Sequence, residues 1–230
     1  MKRILPIFVL MGCVAAPNAG QIGAEYLGAK YVADPLGEGN APDSDPLIRF
    51  DAFDCTTFVE TSLAGGDIDK LNRIRYKNGD IDFLKRNHFI ETDWIENNSN
   101  LVQNVSATYG ETAIRNVVID KQKWLKTVYN IDADSPTQEM ELEYIPYSRL
   151  TRINNSAPLI VLFITGKSEK SAKIGTDLAV AHMGFLMPGG VLRHASQISG
   201  RVVDVDFYEY ADLRKMRNAE IGISLLEIRK

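Results

Sequence analysis

The chain reads as an α+β protein built around an antiparallel sheet, and three observations predict it. Helical patterns dominate the first half and strand patterns the second, without the strand–helix–strand alternation of a parallel sheet. The run "APLIVLFITG", residues 157–166, is apolar and bounded by turn residues, which is the signature of a strand buried on both faces. Two further strand patterns, "AVAHMGFLM" and "VLRHAS", are joined by "PGG" at 188–190, a connection that suits a tight hairpin.

Taken in order, the first segment stands apart. "MKRILPIFVLMGCVAAPNAGQ" has two basic residues, an apolar stretch from Ile4 to Ala16 and small residues after it. This layout predicts a secretory signal peptide over residues 1–19, with cleavage after Ala16 or Ala19. "LMGC" also fits a lipoprotein signal ending before Cys13, which would attach the chain to a membrane through an N-terminal lipid. The expected location is therefore exported, in the periplasm or cell envelope. Residues 20–230 show no repeat, low-complexity tract or linker and are expected to form one domain.

Residues 34–46, "DPLGEGNAPDSDP", are a loop by composition. In "DCTTFVETSLAGG", the positions Phe58, Val59, Ser62 and Leu63 recur at helical spacing, and Gly65–Gly66 stops the pattern. Asp54 is placed to cap that helix, so Cys55 stands at or beside its first residue. Segment 67–130 reads as mostly helical with loops: "IDKLNRIRY", "GDIDFLKRNHF", "WIENNSNLVQNV" and "KQKWLKTVY". Beyond "EMELEYIPYSRL" the composition turns to strands, ending with "RVVDVDFYEY" and "IGISLLEI".

Composition excludes several partners. The net charge is −4 and no block of Lys or Arg stands out, so nucleic acid is not an expected partner. No run of 18 or more apolar residues exists to span a membrane.

The chemistry centres on Cys55. An exported chain with one thiol outside its leader holds either a reactive group or an inert buried one. A three-residue "PGG" loop pairs Met187 with Val191, and counting inward sets residue 184 opposite 194 and 182 opposite 196. His182 and His194 have the same parity, so they share a sheet face as diagonal neighbours within mutual reach. Two histidines with a cysteine could bind a metal, although the spacing matches no zinc signature. They could also be structural. The third option is nucleophilic: a thiol at a helix start, its pKa lowered by the helix terminus and an imidazolium, with histidine as acid and base. A cysteine at a helix start followed by a strand histidine is also the papain-type order.

At these residues the chain resembles a known group. "FDCTTFV" is similar to the D-C-S-G-hydrophobic-V signature of NlpC-type cell-wall cysteine hydrolases, and "HMGFLM…LRHAS" to their paired-histidine segment. "RIRYKNGDIDFLKRNHFIETDWIENN" resembles one branch, the N-acetylmuramoyl-L-alanine amidase-like family. The resemblance implies a papain-like fold and hydrolysis of peptidoglycan or muropeptide fragments. The implied bond is the amide between the lactyl group of N-acetylmuramic acid and L-alanine; most NlpC-type enzymes cut D-glutamyl–diaminopimelate bonds instead. It also implies a Cys55 nucleophile, a His182 general base and a His194 third member, with no metal or organic cofactor. Thr56 and Thr57 depart from the commoner Ser-Gly. Tyr31 is the counterpart of a tyrosine that family members carry nearer the cysteine. Arg75, Asn87, His88 and Trp94 would line substrate subsites, arginine gripping a carboxylate and Trp94 stacking on a sugar. Read from residues alone, Trp94 fits a core position equally well, and His88 a capping or surface one. Tyr31 and Asp54 are also expected at the substrate site, with Asp177 and Glu38 as second choices, since a loop acid is by default a solvated charge. A cell-wall-binding module without activity is the competing class.

Overall fold

A computed structural model describes residues 21–167, 169–217 and 220–229. The leader and Cys13 lie outside the described residues.

The apolar run of 157–166 forms β6 (Leu159–Ile164), buried at every position. A strand with no polar face needs neighbours on both edges and cover on both sides. β6 pairs antiparallel with β7 (Val180–Met187) and β10 (Gly222–Ile228). The sheet runs outward through β8 (Val191–Ser196) and β9 (Arg201–Asp206) to β1 (Lys30–Tyr31) and β2 (Ala52–Phe53). On the other side it continues through β5 (Gln138–Pro146) to β4 (Ala113–Ile119), while β3 (Val102–Asn104) pairs with β10. Only the β1–β2 pair of the named strands is parallel. The protein is a mixed α+β fold.

Each face has its own core. One is covered by α1 (Cys55–Ala64), α2 (Ile68–Arg75) and the segment up to the short α3 (Ile95–Asn97), and gathers Phe53, Phe58, Trp94, Met183 and Phe185. The other holds Phe163, Leu186 and Leu192 beneath Phe207 and Ala211. Two short helices, α4 (Ser106–Tyr109) and α6 (Glu169–Ile174), and the longer α5 (Lys121–Tyr129) lie between strands; α7 (Phe207–Met216) brings Phe207 and Ala211 to the second core.

Two expectations need correction. Segment 67–130 is less helical than its pattern suggests, because β3 and β4 run through it. The α3 turn stops where the Asn98 side chain donates to the carbonyls of Trp94 and Ile74, drawing the backbone out of the helix. β4 alternates buried Arg115, Val117 and Ile119 with exposed neighbours, and its seven-residue pairing with β5 overrides local propensity. "RVVDVDFYEY" is not one strand: Asp206 accepts hydrogen bonds from the N–H groups of Tyr208 and Glu209, ending β9 and starting α7.

The hairpin follows its expected register. Met187 pairs with Val191 and Phe185 with Arg193, and Gly189 and Gly190 take the positive φ angles of 88° and 84° that the turn requires. At the other end of β7 the ladder slips: Phe163 pairs with His182, but Ile164 pairs with Val180. Ala181 is thus one extra residue, a β-bulge directly before the histidine.

Candidate active site

Cys55 is the first residue of α1, and the local sequence explains its position. The Asp54 carboxylate accepts the Thr57 N–H at 2.8 Å, and the Thr57 hydroxyl accepts the Asp54 N–H at 3.0 Å. This reciprocal capping box leaves the helix one place to begin. Phe58, one turn on, meets Phe53 and Phe185 edge-on at ring separations of 6.1 and 5.7 Å, fastening α1 across β7. The free, half-buried Cys55 thiol then lies where α1 packs on β7, with the backbone N–H of Met183 easing the burial of the sulfur.

His182 and His194 face each other across the hairpin. His182 Nε2 and His194 Nδ1 are 2.7 Å apart, with the rings nearly perpendicular at 80°. One proton lies between these two nitrogens, so one ring donates and the other accepts. The contact occupies His182 Nε2, so Nδ1 is the ring nitrogen with which a thiol would have to react. Gly184 makes room for it: a β-carbon there would come within 2.8 Å of both His194 Cβ and the Arg193 carbonyl.

Tyr210 of α7 packs against both rings, its centroid 5.0 Å from His194 and 6.0 Å from His182. The Arg214 guanidinium lies 5.8 Å above the Tyr210 ring and is held by the buried Glu220 carboxylate. Cys55, His182, His194, Tyr31, Tyr210 and Arg214 surround one open pocket, with Ala181 and Ile198 on its wall.

The charge state differs from the sequence-based expectation. Burial pushes the Cys55 thiol up to about 12, the Asp54 carboxylate adds to the rise, and the Met183 N–H only partly offsets it. Burial outweighs the pull of the helix terminus on the thiol, and the Asp54 carboxylate that caps the helix adds a negative charge beside the sulfur. Burial, aided by Arg214, holds His194 down to about 4. His182 is likewise held well below the usual imidazole range, by burial first, then His194 and Arg214. These shifts all run against charge on the thiol and on the two histidines, and so favour a neutral thiol beside a neutral histidine pair.

The remaining candidates are placed as follows. Asp54 is the helix cap and Tyr31 forms part of the pocket wall. Trp94 is fully enclosed and donates its Nε1–H to the buried Glu60 at 3.0 Å. Arg75 is 2% exposed; it donates to the Leu47 carbonyl and pairs with Glu60, so its guanidinium is already engaged inside the protein. Asn87 and Asn98 both donate to the Ile74 carbonyl. His88 packs between Phe83 and Trp124, its Nε2 2.7 Å from the Phe83 carbonyl. Asp177 receives two hydrogen bonds from Arg115, and Glu38 two from Arg86. Neither Arg75, Asn87, His88, Trp94 nor Asp177 lines the Cys55 pocket. Among the described residues no three His, Cys, Asp or Glu side chains are grouped to hold a metal ion. Tyr210 and Arg214 had no motif to reveal them. They share a helix face at i and i+4, a spacing hidden once 207–210 is read as strand.

A sequence profile of the N-acetylmuramoyl-L-alanine amidase-like family matches residues 21–219. The chain belongs to this family. No curated protein sequence matches it. Among solved structures, a Legionella pneumophila protein catalogued as a domain of unknown function superposes with a TM-score of 0.79 at 25% identity, covering 92% of this chain and 88% of that one. An N-acetylmuramoyl-L-alanine amidase from Bacteroides uniformis gives 0.71 at 26%, covering 93% and 99%. A Bacteroides fragilis protein described as a putative xylanase gives 0.68 at 26%, covering 90% and 99%. The family is of a cell-wall amidase kind, and Cys55, His182 and His194 of this chain line one pocket.

Proposed function

We propose that the protein is a cysteine amidase with a papain-like arrangement, cutting the amide between the N-acetylmuramic acid lactyl group and L-alanine. The observation that carries this reading is the hydrogen-bonded His182–His194 pair in one pocket with the Cys55 thiol. Family membership and the amidase from Bacteroides uniformis support the choice of bond. The substrate class is peptidoglycan or its fragments, and the leader supports an exported enzyme, lipid-anchored if Cys13 is processed.

The resting charges favour general-base attack. His182 Nδ1 takes the thiol proton as Sγ attacks the lactyl carbonyl, and the backbone N–H of Cys55 donates to the developing oxyanion. The imidazolium so formed holds its Nε2–H toward His194 Nδ1, which is free to accept because His194 stays neutral. His182 then returns the proton to the leaving L-alanine nitrogen as the C–N bond breaks, leaving a thioester on Cys55. In the second half His182 deprotonates water, which adds to the thioester and releases the muramic acid carboxylate; the thiol recovers its proton.

The test is mass spectrometry of a defined MurNAc–L-Ala–D-Glu–diaminopimelate substrate with wild type and Cys55→Ala. Free MurNAc with an intact stem peptide is expected from wild type, and no product from the variant. Release of MurNAc–L-Ala–D-Glu would move the enzyme to the endopeptidase class. Hydrolysis retained by Cys55→Ala would overturn the thioester route.

A further inference from the structure

A fully buried carboxyl group lies at the foot of the strand that carries His182. Glu91 is 0% exposed, in a wide five-residue helical turn, Ile90–Trp94, of the family-like insertion. Its Oε1 accepts the Ala179 N–H at 2.6 Å, and the Val180 N–H also points at the group. A carboxyl group withdrawn from water costs several kcal/mol unless its partners compensate, so its placement calls for a cause. Local stability is a weak one, because Oε2 has no hydrogen-bond partner among the described residues. An apolar side chain would remove that orphan but would leave the buried Ala179 N–H without an acceptor.

The cause lies in the ladder. The bulge at Ala181 breaks the register between β6 and β7 after the Phe163–His182 pair. The Ala179 carbonyl still accepts the Thr165 N–H, but the Ala179 N–H turns to Glu91 instead of a strand. A bulge re-aims the side chain beside it, and it can slide unless something fixes its far end. A slide by one residue would make His182 itself the unpaired extra residue and re-aim its ring away from His194.

We propose that Glu91 is a positioning residue: by holding the Ala179 N–H it locks the bulge that aims His182 at Cys55 and His194. The lock is an acceptor oxygen at a fixed place, and no charge on Glu91 is required. The inference rests on His182 serving as the general base. A hydrogen bond between the two imidazoles can be read without any substrate, so a failure here is distinguishable from a failure of the proposed reaction.

The experiment compares Glu91→Ala and Glu91→Gln in kcat and KM on the muropeptide, and in the imidazole N–H and ¹⁵N resonances of the free protein. Glu91→Ala is expected to lower kcat about tenfold or more with KM little changed, since small displacements at a reacting group are costly. It should also shift or abolish the His182–His194 resonance. Glu91→Gln keeps an acceptor oxygen, and both readouts are expected to stay near wild type. A folded Glu91→Ala with wild-type kcat and imidazole signals would overturn the proposal. So would a folded Glu91→Gln whose kcat and imidazole signals are strongly altered, whether or not the alanine variant folds.

Discussion

The β7–β8 hairpin and the segment 73–98 both carry residues of the kind that do chemistry, yet the fold treats them oppositely. The hairpin delivers its two histidines to the Cys55 pocket, 2.7 Å from one another. The segment turns Arg75, Asn87 and Trp94 inward, where they tie Glu60, the Ile74 carbonyl and the Leu47 carbonyl together. Strand geometry has period two, so one pairing sets the face and neighbours of every residue along it. An irregular segment has no period, and its side chains go wherever the tertiary structure has a polar group to satisfy. A functional residue type is thus informative in a hairpin and ambiguous in an irregular segment.

Substitutions in the two regions should separate catalysis from stability. The largest effect is expected from His182→Ala, which removes the proton carrier: kcat on the muropeptide should fall by about 10³-fold, with the unfolding midpoint close to wild type. His194→Ala removes the acceptor that orients the ring and should cost less, about 10–100-fold. Equal losses from the two would merge their roles. Gly184→Ala forces a methyl group against His194 Cβ and the Arg193 carbonyl. It should lower stability by about 1–3 kcal/mol in chemical denaturation and kcat by about tenfold. Trp94→Phe, by contrast, leaves the buried Glu60 short of a donor. About 1–2 kcal/mol of stability should be lost while KM and kcat stay near wild type. A rise in KM for that variant would restore the segment to the substrate site.

The charge state supplies a finer test. His194 is held down to about 4, and its protonation removes the acceptor that His182 needs. Activity should persist into mildly acid solution and fall only as the pH drops toward about 4. With the thiol pushed up to about 12, alkylation of Cys55 by iodoacetamide should be slow at neutral pH and accelerate as the solution becomes strongly alkaline. Fast alkylation at neutral pH would restore the ion-pair picture that the sequence alone suggested.

The same burial and charge underlie what could be read in advance. Asp54 before a helical pattern, and two glycines between strand patterns, act through bonds to residues a few places away. For that reason the start of α1, the Met187–Val191 register and the shared face of the histidines were determined by sequence alone. The chain pattern could not foresee the helix at 207–216, where one Asp206 cap outweighs an apparently continuous strand. Only the tertiary structure set Tyr210 and Arg214 beside the histidines, turned Trp94 inward and brought Glu91 to the bulge. Those placements join residues far apart in the chain, and they depend on which buried polar groups the completed fold leaves to be satisfied. The upward shift of the thiol arises at the same level, because desolvation is a property of the packed surroundings and not of any short stretch of sequence.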